Sequence, residues 1–218
     1  MNQVPMEKIN TALCSFGMSG MLFHAPFISA HPGFKLYAVW ERSDNVAAQT
    51  YPGILSYKNL DDMLANDNIH LVVVNTPNHT LAEYARKALL AGKHVLVEKS
   101  FTVTASEAQE LLELAVQQGK QLAVYHNRRY DSDFKTVKQV FESGVLGELH
   151  AADFNFCRYK QELSAKKHKE MPIPGAGLLH DLGKVDAQGD GRVLLVHRVA
   201  KVLLTRWLPE RWERLSAT

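Results

Sequence analysis

Short apolar runs alternate with longer amphipathic stretches through the first 126 residues, and most are bounded by Gly, Pro or Asn. The clearest run is Leu71-Val72-Val73-Val74, within residues 69–75, which predicts a strand buried on both faces. Thr76-Pro77-Asn78 breaks it. A second run, Val95-Leu96-Val97, passes straight into Glu98-Lys99. Residues 10–15, 35–41, Ile54-Leu55 and 121–125 predict further strands. Helices are predicted over 21–30, stopped by His31-Pro32-Gly33, and over 44–50, closed by Pro52-Gly53. Another spans 60–65, with Asp61 and Asp62 at the positive end of its dipole. Two more span 80–91, ending at Gly92, and 104–118, ending at Gly119. Repeated strand–helix–strand units of this length predict an α/β fold, a parallel sheet with helices on both faces.

Past His126 the pattern changes. Asn127-Arg128-Arg129-Tyr130-Asp131 leads into a predicted helix over 133–142, ended by Ser143-Gly144. Residues 149–156 alternate apolar and polar, as a half-exposed strand does. Residues 161–174 are polar and lysine-rich, hence a loop, and 175–183 form a glycine-punctuated segment able to open a helix. From Lys184 the character shifts again. The expected organisation is therefore 1–126, 127–183 and an atypical basic tail, 184–218.

Composition narrows the function classes. The 218 residues are 46% hydrophobic and 22% charged, the balance of an ordinary globular protein. A net charge of +2 is too small to imply a nucleic-acid partner. No apolar run approaches a membrane span, and the mixed, polar N-terminus does not read as a signal peptide. Cys14 and Cys157 are far apart and lack metal-ligand spacing, so two free thiols in a cytoplasmic protein are expected.

The first turn, Ser15-Phe16-Gly17-Met18-Ser19-Gly20, is an S-x-G-x-x-G form of the dinucleotide fingerprint. Gly17 is the glycine that lets the backbone approach a pyrophosphate, and Gly20 the one that permits close helix–strand packing. The following helix offers its N–H groups to phosphates. Glu41 lies 24 residues past Gly17, at the end of the second strand, where a carboxylate accepts ribose hydroxyls of NAD. Arg42, next in the chain, suits the 2′-phosphate of NADP or stacks on adenine. On balance Glu41 tilts the expectation towards NAD. Asn75-Thr76-Pro77-Asn78, closing the strongest strand, either bonds a nicotinamide ribose or simply turns the chain. Lys99 falls where ligands of parallel sheets collect. It is a phosphate or carboxylate clamp, a proton donor, or an exposed surface lysine.

Taken in order, these segments resemble the family of glucose-fructose oxidoreductase, inositol dehydrogenase and their rhizopine-catabolism relatives (Gfo/Idh/MocA). The matching text is the Ser15 to Gly20 turn with Phe23-His24-Ala25-Pro26, Trp40-Glu41-Arg42-Ser43, the Val72 to Asn78 run, Gly92 to Lys99, Asn127-Arg128-Arg129, and Gly175 to Gly183. The resemblance implies a Rossmann-type domain followed by a second α/β domain, here incomplete. It also implies hydride transfer between nicotinamide and a sugar or polyol hydroxyl, with homo-oligomers as partners. Carried over by position, Lys99 resembles the lysine that bonds the reacting oxygen, and Asp181 the acid that orients substrate. Cofactor contacts fall to Ser15, Gly17, Met18, Ser19, Gly20, Glu41, Arg42, Thr76, Pro77, Asn78, Glu98, Lys99 and Asn127.

Three positions depart from the family pattern. Ser100 stands where the family carries proline after the lysine, Leu81 where it carries a second histidine, and Val185 where it carries a catalytic histidine four residues after Asp181. Beyond Gly183 the match stops, and 184–218 holds seven Lys/Arg against four Asp/Glu. A truncated chain with an altered reading frame is expected there; a basic amphipathic helix docking on a membrane or a partner is the alternative. Turnover of sugars is accordingly expected to be low, and a dinucleotide-binding sensor without catalysis is the other functional outcome.

Overall fold

The structure is a computed structural model that describes residues 7–42 and 45–148, together with four short strands at 151–154, 185–187, 193–195 and 202–205. Contacts divide the chain into two units, Met1–Tyr125 and His126–Thr218.

The first unit is built on six strands: β1 (Ile9–Leu13), β2 (Phe34–Trp40), β3 (Leu55–Tyr57), β4 (Leu71–Val74), β5 (His94–Glu98) and β6 (Leu122–Tyr125). All pair in parallel, in the order β3-β2-β1-β4-β5-β6. The chain runs outward from β1 in one direction and then restarts at β4 on its other side. That reversal opens a crevice at the carboxyl ends of β1 and β4, the place where open α/β sheets bind ligands.

Alternation along the strands sorts the core into two layers. Ala12, Ala38, Val72, Val74, Val95 and Val97 face α3 (Leu60–Leu64), α4 (Leu81–Leu90) and α5 (Ala105–Gln117). Leu13, Val39 and Val73 point the other way, towards Ala25 of α1 (Ala25–Ala30) and Ala47 of α2 (Val46–Thr50). The central valines are completely buried. Covering both faces with helices is what lets these strands be apolar throughout.

Local chemistry sets the helix limits. Asn59 caps α3 by accepting from the Asp61 amide at 2.7 Å. Thr104 and Glu107 form a reciprocal capping box at the start of α5. Gly92 (φ 71°) and Gly119 (φ 61°) follow α4 and α5 in the left-handed conformation that ends helices. The first crossover differs from the sequence expectation. A π-helical turn, Gly20–His24, closed by the Ala25 amide on the Gly20 carbonyl, precedes α1.

The second unit begins with a 3-10 turn, Asn127–Tyr130, and α6 (Ser132–Glu142). Four strands follow: β7 (Ala151–Phe154), β8 (Val185–Ala187), β9 (Val193–Leu195) and β10 (Val202–Thr205). β7 pairs antiparallel with β10, and β8 with β9. β8, β9 and β10 lie within the segment 184–218, and each begins at a valine, in keeping with the strand preference of that residue. Asp181 and the glycine-punctuated segment 175–183 lie outside the described residues; Val185 opens β8.

Candidate functional site

The glycine turn leaves β1 at the crevice and is held by side chains on both sides. Ser15 Oγ accepts from the Gly17 amide at 3.2 Å. Asn75, buried at the end of β4, donates through Nδ2 to the Ser15 carbonyl at 2.8 Å. A Cβ on Gly20 would lie 2.4 Å from that carbonyl oxygen and 3.1 Å from Asn75 Nδ2. No side chain fits there, whereas a Cβ on Gly17 would meet nothing closer than Ser15 Oγ at 3.4 Å. Gly20 thus serves packing, and Gly17 leaves the turn's surface open. Met18 is largely exposed on the same turn.

Glu98, the last residue of β5, gathers three donors. Its Oε1 accepts from Ser19 Oγ at 2.6 Å and from His24 Nε2 at 2.8 Å, and its Oε2 accepts from the Lys99 amide at 3.2 Å. The His24 side chain is 2% exposed and that of Glu98 14%. Burial pushes the Glu98 carboxyl up, but the bonds from His24 and Ser19, the His24 charge and the Lys99 amide more than offset it. The net result holds it below the usual carboxylate range. Tyr125, at the end of β6, lies against the His24 ring at 4.5 Å between centroids and donates its hydroxyl to the Phe23 carbonyl at 2.9 Å. Lys99 follows at the mouth of the crevice, half-buried. The Lys99–Ser100 peptide is cis, and Phe101, at φ 76°, returns its amide to the Glu98 carbonyl.

Glu41 is at the predicted place, the end of β2, but its carboxylate turns inward. It is 8% exposed. Oε1 accepts from the Val46 and Ala47 amides at 3.0 and 3.2 Å, and Oε2 from Ser56 Oγ at 3.1 Å. Glu41 therefore caps α2, an arrangement that also satisfies the helix dipole. Arg42 beside it is exposed. Thr76, Pro77 and Asn78 form the turn after β4, where Thr80 Oγ1 bonds both Thr76 Oγ1 and the Pro77 carbonyl at 2.8 Å. Leu81, the first residue of α4, is completely buried in the core layer, a place suited to an apolar residue. Asn127 belongs to the second unit.

The structure thus brings Ser15 to Gly20, Asn75 and Glu98 together at one crevice. Sequence reasoning missed the bond from Asn75 to the glycine turn and the pairing of His24 with Glu98. The signal for His24 was a lone imidazole between Phe23 and Ala25 in an apolar stretch. Among the described residues no group of three His, Cys, Asp or Glu is placed to hold a metal, and no helix is long and apolar enough to cross a membrane.

Comparison with known proteins gives this geometry its relatives. Residues 9–126 match the model of an oxidoreductase family with an NAD-binding Rossmann fold. An uncharacterised oxidoreductase of Schizosaccharomyces pombe is 45% identical over 183 residues, covering 82% of this chain and 50% of its own length. The scyllo-inositol 2-dehydrogenase (NADP(+)) IolW of Bacillus subtilis is 30% identical over 178 residues, covering 82% and 49%. The crystal structure of an oxidoreductase from Bacillus cereus superposes with a TM-score of 0.61 at 37% identity, covering 65% of this chain and 41% of that one. The chain spans about half the length of the curated relatives it matches. With the glycine turn, the strand order and the β5 end in register, the chain belongs to the Gfo/Idh/MocA oxidoreductase family, with its NAD-binding Rossmann fold in residues 9–126.

Proposed function

We propose that this chain binds a nicotinamide dinucleotide in the crevice at β1, β4 and β5 and serves oxidation or reduction at a sugar or polyol CH–OH centre. The observation that carries it is the packing at Gly20. The clearance there accommodates only hydrogen, so the turn and the following helix close on each other at the carboxyl end of β1, the arrangement by which a dinucleotide fold brings a helix start to a pyrophosphate. Asn75 Oδ1, which is buried and has no hydrogen-bond partner among the described residues, adds an acceptor beside that turn. These features fit a dinucleotide. Ser15 to Gly20 would hold its pyrophosphate, the β2 side its adenosine, and Thr76 to Asn78 with Glu98 and Lys99 its nicotinamide half. Bound there, the cofactor supplies or accepts hydride. Lys99 donates a hydrogen bond, or a proton, to the substrate oxygen.

Choice between NAD and NADP turns on Glu41. The expectation of NAD rested on its carboxylate meeting the ribose hydroxyls. That carboxylate is engaged by α2 and Ser56, which leaves the exposed Arg42 as the charge beside the adenosine 2′ position. We therefore infer that NADP is accepted at least as well as NAD, in line with the NADP(+) in the name of the Bacillus subtilis relative. Titration of the chain with NADH and NADPH, followed by nicotinamide fluorescence, tests both statements. Saturable binding with comparable or tighter affinity for NADPH is expected. No saturable binding overturns the function, and a clear preference for NADH overturns the cofactor assignment. A second reading, a dinucleotide-binding sensor without turnover, rests on Val185 standing where the family resemblance calls for a catalytic histidine. Assay of a polyol panel with the bound cofactor separates the two.

A further inference from the structure

The Glu98 cluster joins segments with different tasks, and its members are not surface polar residues that happened to meet. Ser19 belongs to the glycine turn after β1, His24 to the π-helical turn and Glu98 to the end of β5. His24 and Glu98 are 74 residues apart in sequence. Burying an imidazole and a carboxylate is unfavourable unless each is satisfied. The His24 ring also lies against Tyr125, whose own hydroxyl is tied to the Phe23 carbonyl. A π-helical turn at this point is itself a feature that concentrates at functional sites.

Resting on the dinucleotide reading above, we propose that His24 is a positioning residue acting through Glu98. Together with Ser19 it fixes the carboxylate that holds the Lys99 amide, and so ties the glycine turn to the lysine at the end of β5. Glu98 remains a carboxylate at neutral pH, because its donors outweigh its burial, and all three donors then stay engaged. Loss of the His24 bond frees one side of Oε1 and lets the Glu98–Lys99 segment shift relative to the turn. Its effect falls on the nicotinamide half of the ligand, on the β4–β5 side of the crevice. The adenosine half, on the β2 side, is untouched.

The test compares ADP-ribose, which lacks nicotinamide, with NADPH on the full 218-residue chain. ADP-ribose binding is read by calorimetry, NADPH binding by fluorescence. His24→Leu is expected to leave ADP-ribose affinity within about twofold and to weaken NADPH about tenfold, the size of one lost charge-assisted hydrogen bond. His24→Gln, which retains a donor, is expected to recover most of that loss. In a cycle with Glu98→Gln, the double variant should bind NADPH no worse than Glu98→Gln alone. Equal weakening of both ligands, additive losses in the cycle, or an unchanged NADPH affinity in His24→Leu overturns the proposal. Should His24→Leu fail to fold, His24→Gln and Glu98→Gln against the unmodified chain carry the same comparison: a loss confined to NADPH in Glu98→Gln that His24→Gln does not share supports it, and an equal loss for both ligands refutes it. An unmodified chain that binds neither ligand overturns the dinucleotide reading itself, an outcome distinct from the others.

Discussion

Replacing Gly20 with alanine and, separately, Gly17 with alanine should separate packing from ligand approach within a single turn. The Gly20 Cβ would sit 2.4 Å from the Ser15 carbonyl oxygen, well inside any contact a real Cβ makes. That carbonyl cannot simply retreat, because Asn75 holds it at 2.8 Å from one side. Overpacking of this kind costs roughly 1–3 kcal/mol. Alanine regains roughly 0.5–1 kcal/mol over glycine in a helical turn. The net expectation is a loss of about 0.5–2 kcal/mol in urea denaturation followed by circular dichroism. Displacement of the turn should also weaken dinucleotide binding by about tenfold, equivalent to one or two lost hydrogen bonds. For Gly17 the added methyl meets only Ser15 Oγ at 3.4 Å, an ordinary contact, and stability should change by less than about 0.5 kcal/mol. The methyl would nonetheless stand where the backbone is meant to approach phosphate, so binding should still fall. A Gly20→Ala chain as stable as the parent, or a Gly17→Ala chain that loses as much stability as Gly20→Ala, would refute this division of labour.

Three further outcomes follow from individual side chains. Glu41→Gln should lower stability by about 1 kcal/mol through a weaker interaction with the α2 N-terminus, yet change the NADH-to-NADPH affinity ratio less than about threefold. A tenfold change in that ratio would return Glu41 to the ribose. His94 Nδ1 accepts from the Gln121 amide at 3.0 Å, and its pKa is lowered by burial and by the charges of Lys120 and His70. The unfolded chain therefore takes up a proton first as pH falls below about 6.5. The stability His94 contributes is full above that pH and is lost as pH drops through the folded value. His94→Asn, which keeps an acceptor, should flatten urea midpoints between pH 7 and 5, and an unchanged slope would contradict the assignment. Burial pushes the Cys14 thiol up to about 12. In a Cys157→Ser background it should resist a disulfide reagent until denaturant opens the domain, so rapid labelling of the folded chain would show it is not enclosed.

Most of the first unit was legible because its signals are local. The run of valines in β4 has no polar position to offer solvent, so both faces had to be covered. The helices ended where glycine could take a positive φ. What escaped was set by contacts across the sequence. Nothing in Gly20 to His24 distinguishes a π turn from an α turn; the wider turn arises as the helix closes against β1 with no Cβ at position 20. The short strands in the tail depend on distant partners in the same way. β10 pairs with β7 at separations of 48 to 54 positions, from Val202 on Phe154 to Thr205 on Ala151, which no local pattern announces.

Residue identity located the site better than it located the chemistry within it. Glu41 occupies the predicted position at the end of β2, but a carboxylate there has two competing sets of donors: ribose hydroxyls from a ligand, or free amides at the start of the next helix. Which set wins depends on how close α2 begins. Here Val46 and Ala47 bring their amides within 3.2 Å, and Ser56 on β3 supplies a third donor. Those partners are covalently part of the chain and so are present at high effective concentration, which a dissociable ligand must displace. Glu98 shows the converse. It was expected as a cofactor contact, and the three donors on its carboxylate make it instead the point where the glycine turn, the π turn and the lysine meet. A carboxylate at a strand end should therefore be judged by the donors already fixed around it before a ligand is assigned to it.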